Sequence, residues 1–296
     1  MQRLSKFLFP IILIGFIFEY GLRHIPNDYQ KKSDFLRQHG HEIEILNLGN
    51  SHAFYGVNPT YLAANAFNAA HVSQTFNYDL FIWNKYKDSM PRLKTLIIPI
   101  SYSSYFTRLD NSVERWRIKN YCIYYGLYHS VSVLNYSEVL SSRLYANLKR
   151  LYSYYWLNKD DVNCSNRGFG NVQIESAGDL VGTGAEAAKR HTVRDFELFP
   201  ENKRILQQLI EDAIKRKINI ILVTLPASKH YTIHLDNKQL DKMVTTSTEL
   251  SKKSNFVRYV NMISDSTFND GDFFDGDHLN EKGAEKLTLR LKSIII

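Results

Sequence analysis

Residues 42–52 read Glu42-Ile43-Glu44-Ile45-Leu46-Asn47-Leu48-Gly49-Asn50-Ser51-His52. Residues 43–48 predict a short strand. They are mostly aliphatic with charge only near the start, as in a parallel strand buried on both faces. Gly49 permits a sharp turn at the strand's C-terminal end. A serine placed there, Ser51, projects into the crevice where open α/β sheets bind ligands. Serine is equally an ordinary helix N-cap, and this stretch alone leaves the two readings level.

A second stretch tips the balance: Phe274-Asp275-Gly276-Asp277-His278-Leu279-Asn280-Glu281-Lys282-Gly283-Ala284. A nucleophilic serine needs a base within hydrogen-bond reach, and the base needs an orienting carboxylate. Asp275 and His278, spaced i, i+3 just before the last predicted helix, can supply both from one turn. Asp277 is adjacent to the histidine, and adjacent side chains diverge on a regular turn. Asp275 is therefore the expected orienter, and Asp277 an expected helix-capping or surface carboxylate.

Between these ends, strands alternate with helices. Strands are expected at residues 66–70, 94–100, 218–225 and 257–262. Helices are expected at 79–88, 200–217, 239–252 and 281–296; the second carries Ile205, Leu206, Leu209, Ile210, Ala213 and Ile214 on one face. The alternation predicts an α/β fold, a three-layer α/β/α sandwich around a five-stranded parallel sheet. That domain would occupy residues 42–296, with a helical insertion at about residues 110–200. The insertion is rich in tyrosine, and an irregular loop is expected at 163–184. It reads either as a helical element with ordinary core aromatics or as a cap over the crevice that offers aromatic faces to a sugar or membrane.

At the other end, residues 7–18 are apolar without a break, after Arg3 and Lys6. No small-residue cleavage site follows, so an uncleaved signal anchor over residues 1–24 is expected, with a linker at 25–41.

The chain has 296 residues, is 44% hydrophobic and carries a net charge of +7. That charge is spread along the chain and suits a solvated surface or an anionic partner. No nucleic-acid motif accompanies it. Cys122 and Cys164 have no metal-ligand spacing. Asp270, Asp272, Asp275, Asp277 and Glu281 suggest a calcium loop, but Phe274 and Asp275 stand where that loop needs an oxygen ligand and a glycine. No metal and no organic cofactor is expected.

The pairing of G-N-S-H after the first strand with D-x-x-H-L-N before the last helix resembles the SGNH/GDSL hydrolase superfamily. The D-G-D-H-L-N-x-x-G-A wording looks like membrane-anchored members that modify cell-envelope polymers, relatives of the D-alanyl-lipoteichoic acid transfer protein and of alginate O-acetyltransferases. The resemblance runs from residue 43 to the C-terminus and is specific at its two ends. It implies a flavodoxin-like strand order, a triad of Ser51, His278 and Asp275, and a catalytic domain outside the cytoplasm. It also implies oxyanion donors: the Ser51 N–H, the loop after strand two, where Ala70 and Ser73 stand without a glycine, and the loop after strand three, where Ser101 or Ser103 could substitute for an absent asparagine. The expected function is serine-dependent acyl transfer on ester bonds, as esterase or O-acyltransferase, on acyl groups of an envelope or extracellular polysaccharide. Expected partners are an acylated glycan or other ester, the membrane through the N-terminal helix, and a membrane protein that delivers the acyl donor. The missing glycine and asparagine motivate the alternative, a catalytically retired scaffold that binds envelope polysaccharide.

Overall fold

Five short segments become strands β1 (Ile45–Asn47), β2 (Ala66–Asn68), β3 (Thr95–Pro99), β4 (Asn219–Thr224) and β5 (Val257–Asn261) in the computed structural model, which describes residues 2–128, 132–170 and 179–295. They form one parallel sheet in the order β2-β1-β3-β4-β5. This is the flavodoxin-like order, whose switch point lies between β1 and β3. Leu46 pairs with Phe67 on one side and Leu96 on the other. Helices Ser51–Gly56 and Pro59–Leu62 pack with Glu281–Ile295, and Phe76–Tyr86 packs with Phe199–Lys215. Strand residues alternate between the faces. Ile97, Ile221 and Val223 join Leu287 and Leu291 in one core cluster. Leu96, Ile98, Ile220 and Leu222 point the other way and are fully buried.

The chain divides into two compact units. Leu36–Ser112 with Cys164–Ile296 holds the sheet. Met1–Phe35 with Val113–Asn163 is helical, with helices that include Gln2–Arg23, Ile118–Tyr124, Glu138–Ser141 and Leu144–Leu157. At its centre the Glu138 carboxylate accepts from Lys119 Nζ at 2.5 Å, Arg150 at 2.7 Å and the Tyr124 hydroxyl at 2.8 Å. Burial alone would raise this carboxyl's pKa, but the two cations outweigh it and hold the group below its ordinary range. The aromatic residues of this unit divide between two environments: Tyr121 and Tyr125 are buried, whereas Tyr145 and Trp156 are exposed. The loop expected at 163–184 lies partly outside the described residues, and its end is helical, within Leu180–His191.

The N-terminal membrane anchor does not hold. Among the described residues, no helix is long and apolar enough to cross a membrane. Helix Gln2–Arg23 contains Pro10, and its C-terminal end is built into the helical unit. Leu22 is fully buried there, and Glu19 accepts from the Ser137 hydroxyl at 2.7 Å and from the N–H groups of Glu138 and Val139 at 3.0 and 2.9 Å. The unbroken apolar stretch, residues 7–18, spans only about 18 Å as a helix, against ~30 Å of bilayer core. The expected membrane localisation, with the N-terminal helix as its membrane contact, falls with it.

Candidate active site

Gly49 ends β1 in a backbone conformation open to glycine, φ +112°, where a Cβ would lie 3.1 Å from the Pro99 ring. Its N–H donates to Asp79 Oδ1 at 2.9 Å, and Gln74 Nε2 donates to the same oxygen at 2.7 Å. Asp79 is buried, and desolvation pushes its carboxyl up to about 7 against the pull of those two donors. The turn then enters helix Ser51–Gly56. Its N-cap is Asn50, whose Oδ1 accepts from the His52 N–H at 3.2 Å. The capping reading of Ser51 is thus taken by its neighbour. Ser51 is the first helical residue, so its N–H has no acceptor within the helix.

The Asp275–His278 turn approaches from the other end of the chain. Ser228 Oγ donates to the Gly276 carbonyl at 2.7 Å, and the Gly276 N–H donates to Thr183 Oγ1 at 3.0 Å. Gly276 sits against Gly184, and a Cβ on it would come within 2.1 Å of the Gly184 Cα. Asp275 Oδ1 accepts the backbone N–H groups of Asp277 and His278 at 3.0 and 2.8 Å, which closes the turn. Both Asp275 oxygens lie 3.0 Å from His278 Nδ1, and His278 Nε2 lies 2.8 Å from Ser51 Oγ. The structure therefore joins Ser51, His278 and Asp275 in one hydrogen-bonded chain.

Asp277 differs from its expectation. It is 3% exposed, and its Oδ2 accepts from His52 Nε2 at 2.9 Å. His191 Nδ1 lies 3.8 Å away, and Asp277 Oδ1 lies 3.5 Å from His278 Nδ1. The turn is not regular, so the adjacent carboxylate folds inward instead of diverging. The last helix, Glu281–Ile295, is capped by Asn280 and has Glu281 in its first turn. Asn280 Oδ1 accepts the Gly283 N–H there at 3.0 Å, while Asp272 pairs with Lys286 and Asp270 with Lys229.

Three histidines thus surround one buried carboxylate. Burial would raise the Asp277 pKa, but His278, His52 and His191 outweigh it and hold the group far below the carboxylate range. Burial lowers the His278 pKa, yet Asp277 and Asp275 outweigh burial and the net shift is upward. His191 is pushed down to about 4, chiefly by burial. His52, His191 and Asp277 were not read from the sequence as site residues. The only available signals were the position of His52 beside Ser51 and of Asp277 beside His278. His191 offered none, because it falls in the stretch read only as a helical insertion, at about residues 110–200.

The expected oxyanion donors separate. The Ala70 N–H is already given to Asn68 Oδ1 at 3.0 Å, so it does not serve as expected. Ser73 has φ 61° in the turn after β2, and the His71 N–H ties that turn to the Gly49 carbonyl at 3.1 Å. Ser101 turns its hydroxyl to His52 Nδ1 at 2.7 Å and to Asn50, whose Nδ2 donates to it at 2.9 Å.

One atom each of His52, Asp277 and His278 lie within 4.8 Å of one another, a spacing that could hold a metal ion. The nitrogens that face carboxylates here carry the protons of the hydrogen-bonded chains, and a cation would have to displace them.

No protein-family model and no curated protein matches the chain. Among solved structures, it is similar to a catalytic mutant of an acetylxylan esterase from Geobacillus stearothermophilus, at 11% identity over 86% of this chain and 94% of that one, TM-score 0.44. It is similar to a GDSL-like lipase from Bacteroides thetaiotaomicron at 11% identity over 90% and 98%, TM-score 0.42. A third is the C-terminal catalytic domain of peptidoglycan O-acetyltransferase A from Streptococcus pneumoniae, at 12% identity over 86% and 92%, TM-score 0.39. Likenesses of this degree carry no argument about this chain, and the functional reading rests on the site's own geometry.

Proposed function

We propose that this chain is a serine-dependent enzyme of ester bonds that acts through Ser51 on acyl groups of a polysaccharide. The observation that carries the reading is the unbroken chain from Ser51 Oγ to His278 Nε2, at 2.8 Å, and from His278 Nδ1 to Asp275, at 3.0 Å. Ser51 Oγ attacks the ester carbonyl while His278 Nε2 takes its proton. The tetrahedral oxyanion is held by the Ser51 N–H and by a donor from the Ser73 turn. The imidazolium then protonates the departing alkoxide, and the acyl group remains on Ser51. With water as the second acceptor the enzyme is an esterase; with a glycan hydroxyl it is an O-acyltransferase. Asp275 keeps the imidazole in the tautomer that presents a bare Nε2 to Ser51. The D-G-D-H-L-N wording supports a glycan as the acyl carrier, and a partner protein that delivers the acyl group remains part of the transferase reading.

A second reading, a retired scaffold that binds polysaccharide, is favoured by one observation: the Ala70 N–H is occupied by Asn68. A fluorophosphonate probe separates the two. The enzyme labels at Ser51 and the Ser51→Ala variant does not; a scaffold labels in neither form. Acetate release from a panel of acetylated glycans then names the substrate.

A further inference from the structure

The site contains a second chain of the same three residue types. Asp277 in its charged form only accepts, so the 2.9 Å contact requires a proton on His52 Nε2. In the neutral ring His52 Nδ1 then carries the lone pair and can accept from the Ser101 hydroxyl, 2.7 Å away. Asn50 Nδ2 donates to the same hydroxyl at 2.9 Å, and that hydroxyl has two acceptors in reach, His52 Nδ1 at 2.7 Å and Asn50 Oδ1 at 3.2 Å. Serine, histidine and aspartate are thus linked as in a triad. Ser101 is nonetheless a poor nucleophile by position. It is 7% exposed, and the adjoining cavity, lined by His52, Ser101, Tyr231 and Asp277 among others, has about 20 Å³. That is room for about one water and for no ester.

What the second chain does reach is the first. Asp277 Oδ1 lies 3.5 Å from His278 Nδ1, and the His52 and His278 rings are 4.9 Å apart. We propose that Ser101 and His52 are positioning residues that keep Asp277 ionised beside His278, so that the base facing Ser51 works against two carboxylates rather than one. The inference rests on the acyl-transfer reading for its consequence, but not for its test. A carboxylate buried to this depth takes a proton unless donors replace its water. Among the described residues, no backbone N–H donates to Asp277, and its one hydrogen-bond donor is His52 at 2.9 Å; His278 and His191 stand at 3.5 and 3.8 Å. His52 supplies a short donor, and the Ser101 hydroxyl, 2.7 Å from Nδ1, holds the other side of its ring. The charged groups that act on His278 are Asp275 and Asp277, which favour its protonated form, and Arg190, which opposes it. His52 and His191 face it across Asp277.

The test is a proton NMR titration of His278 in the full-length protein, alongside fluorophosphonate labelling across pH. Asp277→Asn removes the second charge, and the His278 midpoint should fall by about one to three pH units. His52→Leu leaves Asp277 without its short donor, and the midpoint should fall in the same direction. His52→Gln, which still offers an N–H, should bring it back towards the wild-type value. The Asp277→Asn, His52→Leu double variant should shift no further than Asp277→Asn alone, because both act through one charge. An unchanged midpoint in Asp277→Asn, or additive shifts in the double variant, overturns the inference. If Asp277→Asn does not fold, the His52→Leu and His52→Gln pair decides it alone. Failure of the wild type to label would reject the acyl-transfer reading, while the titration would still report on the relay.

Discussion

His278 Nε2 and Ser51 Oγ lie 2.8 Å apart although 227 positions separate the two residues. Each reaches that point through a turn at the C-terminal edge of the sheet, Ser51 after β1 and His278 in the turn that Ser228 and Thr183 hold through Gly276. Two independently anchored turns make the contact depend on sheet order and not on local sequence.

Asp275→Asn should lower turnover by about 10⁴-fold, as loss of the tautomer-fixing carboxylate does in serine proteases. The fold should survive, because Asn retains an Oδ1 for the Asp277 and His278 N–H groups. Turnover and thermal melting of the same preparation check this. Full activity in the variant would remove Asp275 from the mechanism.

His191 makes the protein sensitive to mild acid. In the fold its imidazole is pushed down to about 4, from an ordinary value of 6.5, chiefly by burial. The unfolded chain therefore binds a proton in that interval and the folded chain does not, so stability falls as pH drops from about 6.5 towards 4. Melting temperature against pH should show this slope, and His191→Gln should flatten it. An equal slope in the variant would assign the acid sensitivity elsewhere.

Asp79 should act at the alkaline side. Its carboxyl is pushed up to about 7 by burial, against 3.8 ordinarily. The folded state binds the proton more tightly than the unfolded one, so this contribution is complete below about pH 4 and is lost as pH rises through 7. Asp79→Asn keeps an acceptor for the Gly49 N–H and ends the titration. The variant should gain melting temperature relative to wild type between pH 6 and 9, with little difference near pH 4. A constant offset at every pH would contradict this.

Gly276→Ala probes the loop that carries His278. The added methyl would meet Gly184 Cα at 2.1 Å, a backbone contact that no rotamer relieves. A loss of about 1–3 kcal/mol is expected from the forced shift, with weaker labelling of Ser51 because His278 moves with the loop. Urea unfolding and labelling rate measure the two effects, and an unperturbed variant would show that the loop is not held there.

Much of this site could be read along the chain because its signals are local. A glycine after an aliphatic run, a serine two residues later and a D-x-x-H before a helix each state a short-range geometry, and Ser51, Asp275 and His278 came from them. Strands β3 and β4 were legible for the same reason: buried parallel strands are largely aliphatic runs bounded by turns. The flavodoxin-like strand order came only through the resemblance, because periodicity carries no information about neighbours. Tertiary structure alone decided the rest. The role of Asp277 turned on a loop that bends its side chain inward to His52, 225 positions away. The Ala70 N–H was lost to Asn68, a contact that composition cannot announce. The apolar N-terminal block promised a membrane span, but Glu19 ties its end into a helical unit through residues more than a hundred positions on. Local pattern determines which segments form and which chemistry they carry. Which buried charges meet, and which donors are already spent, is a property of packing between segments remote in the chain.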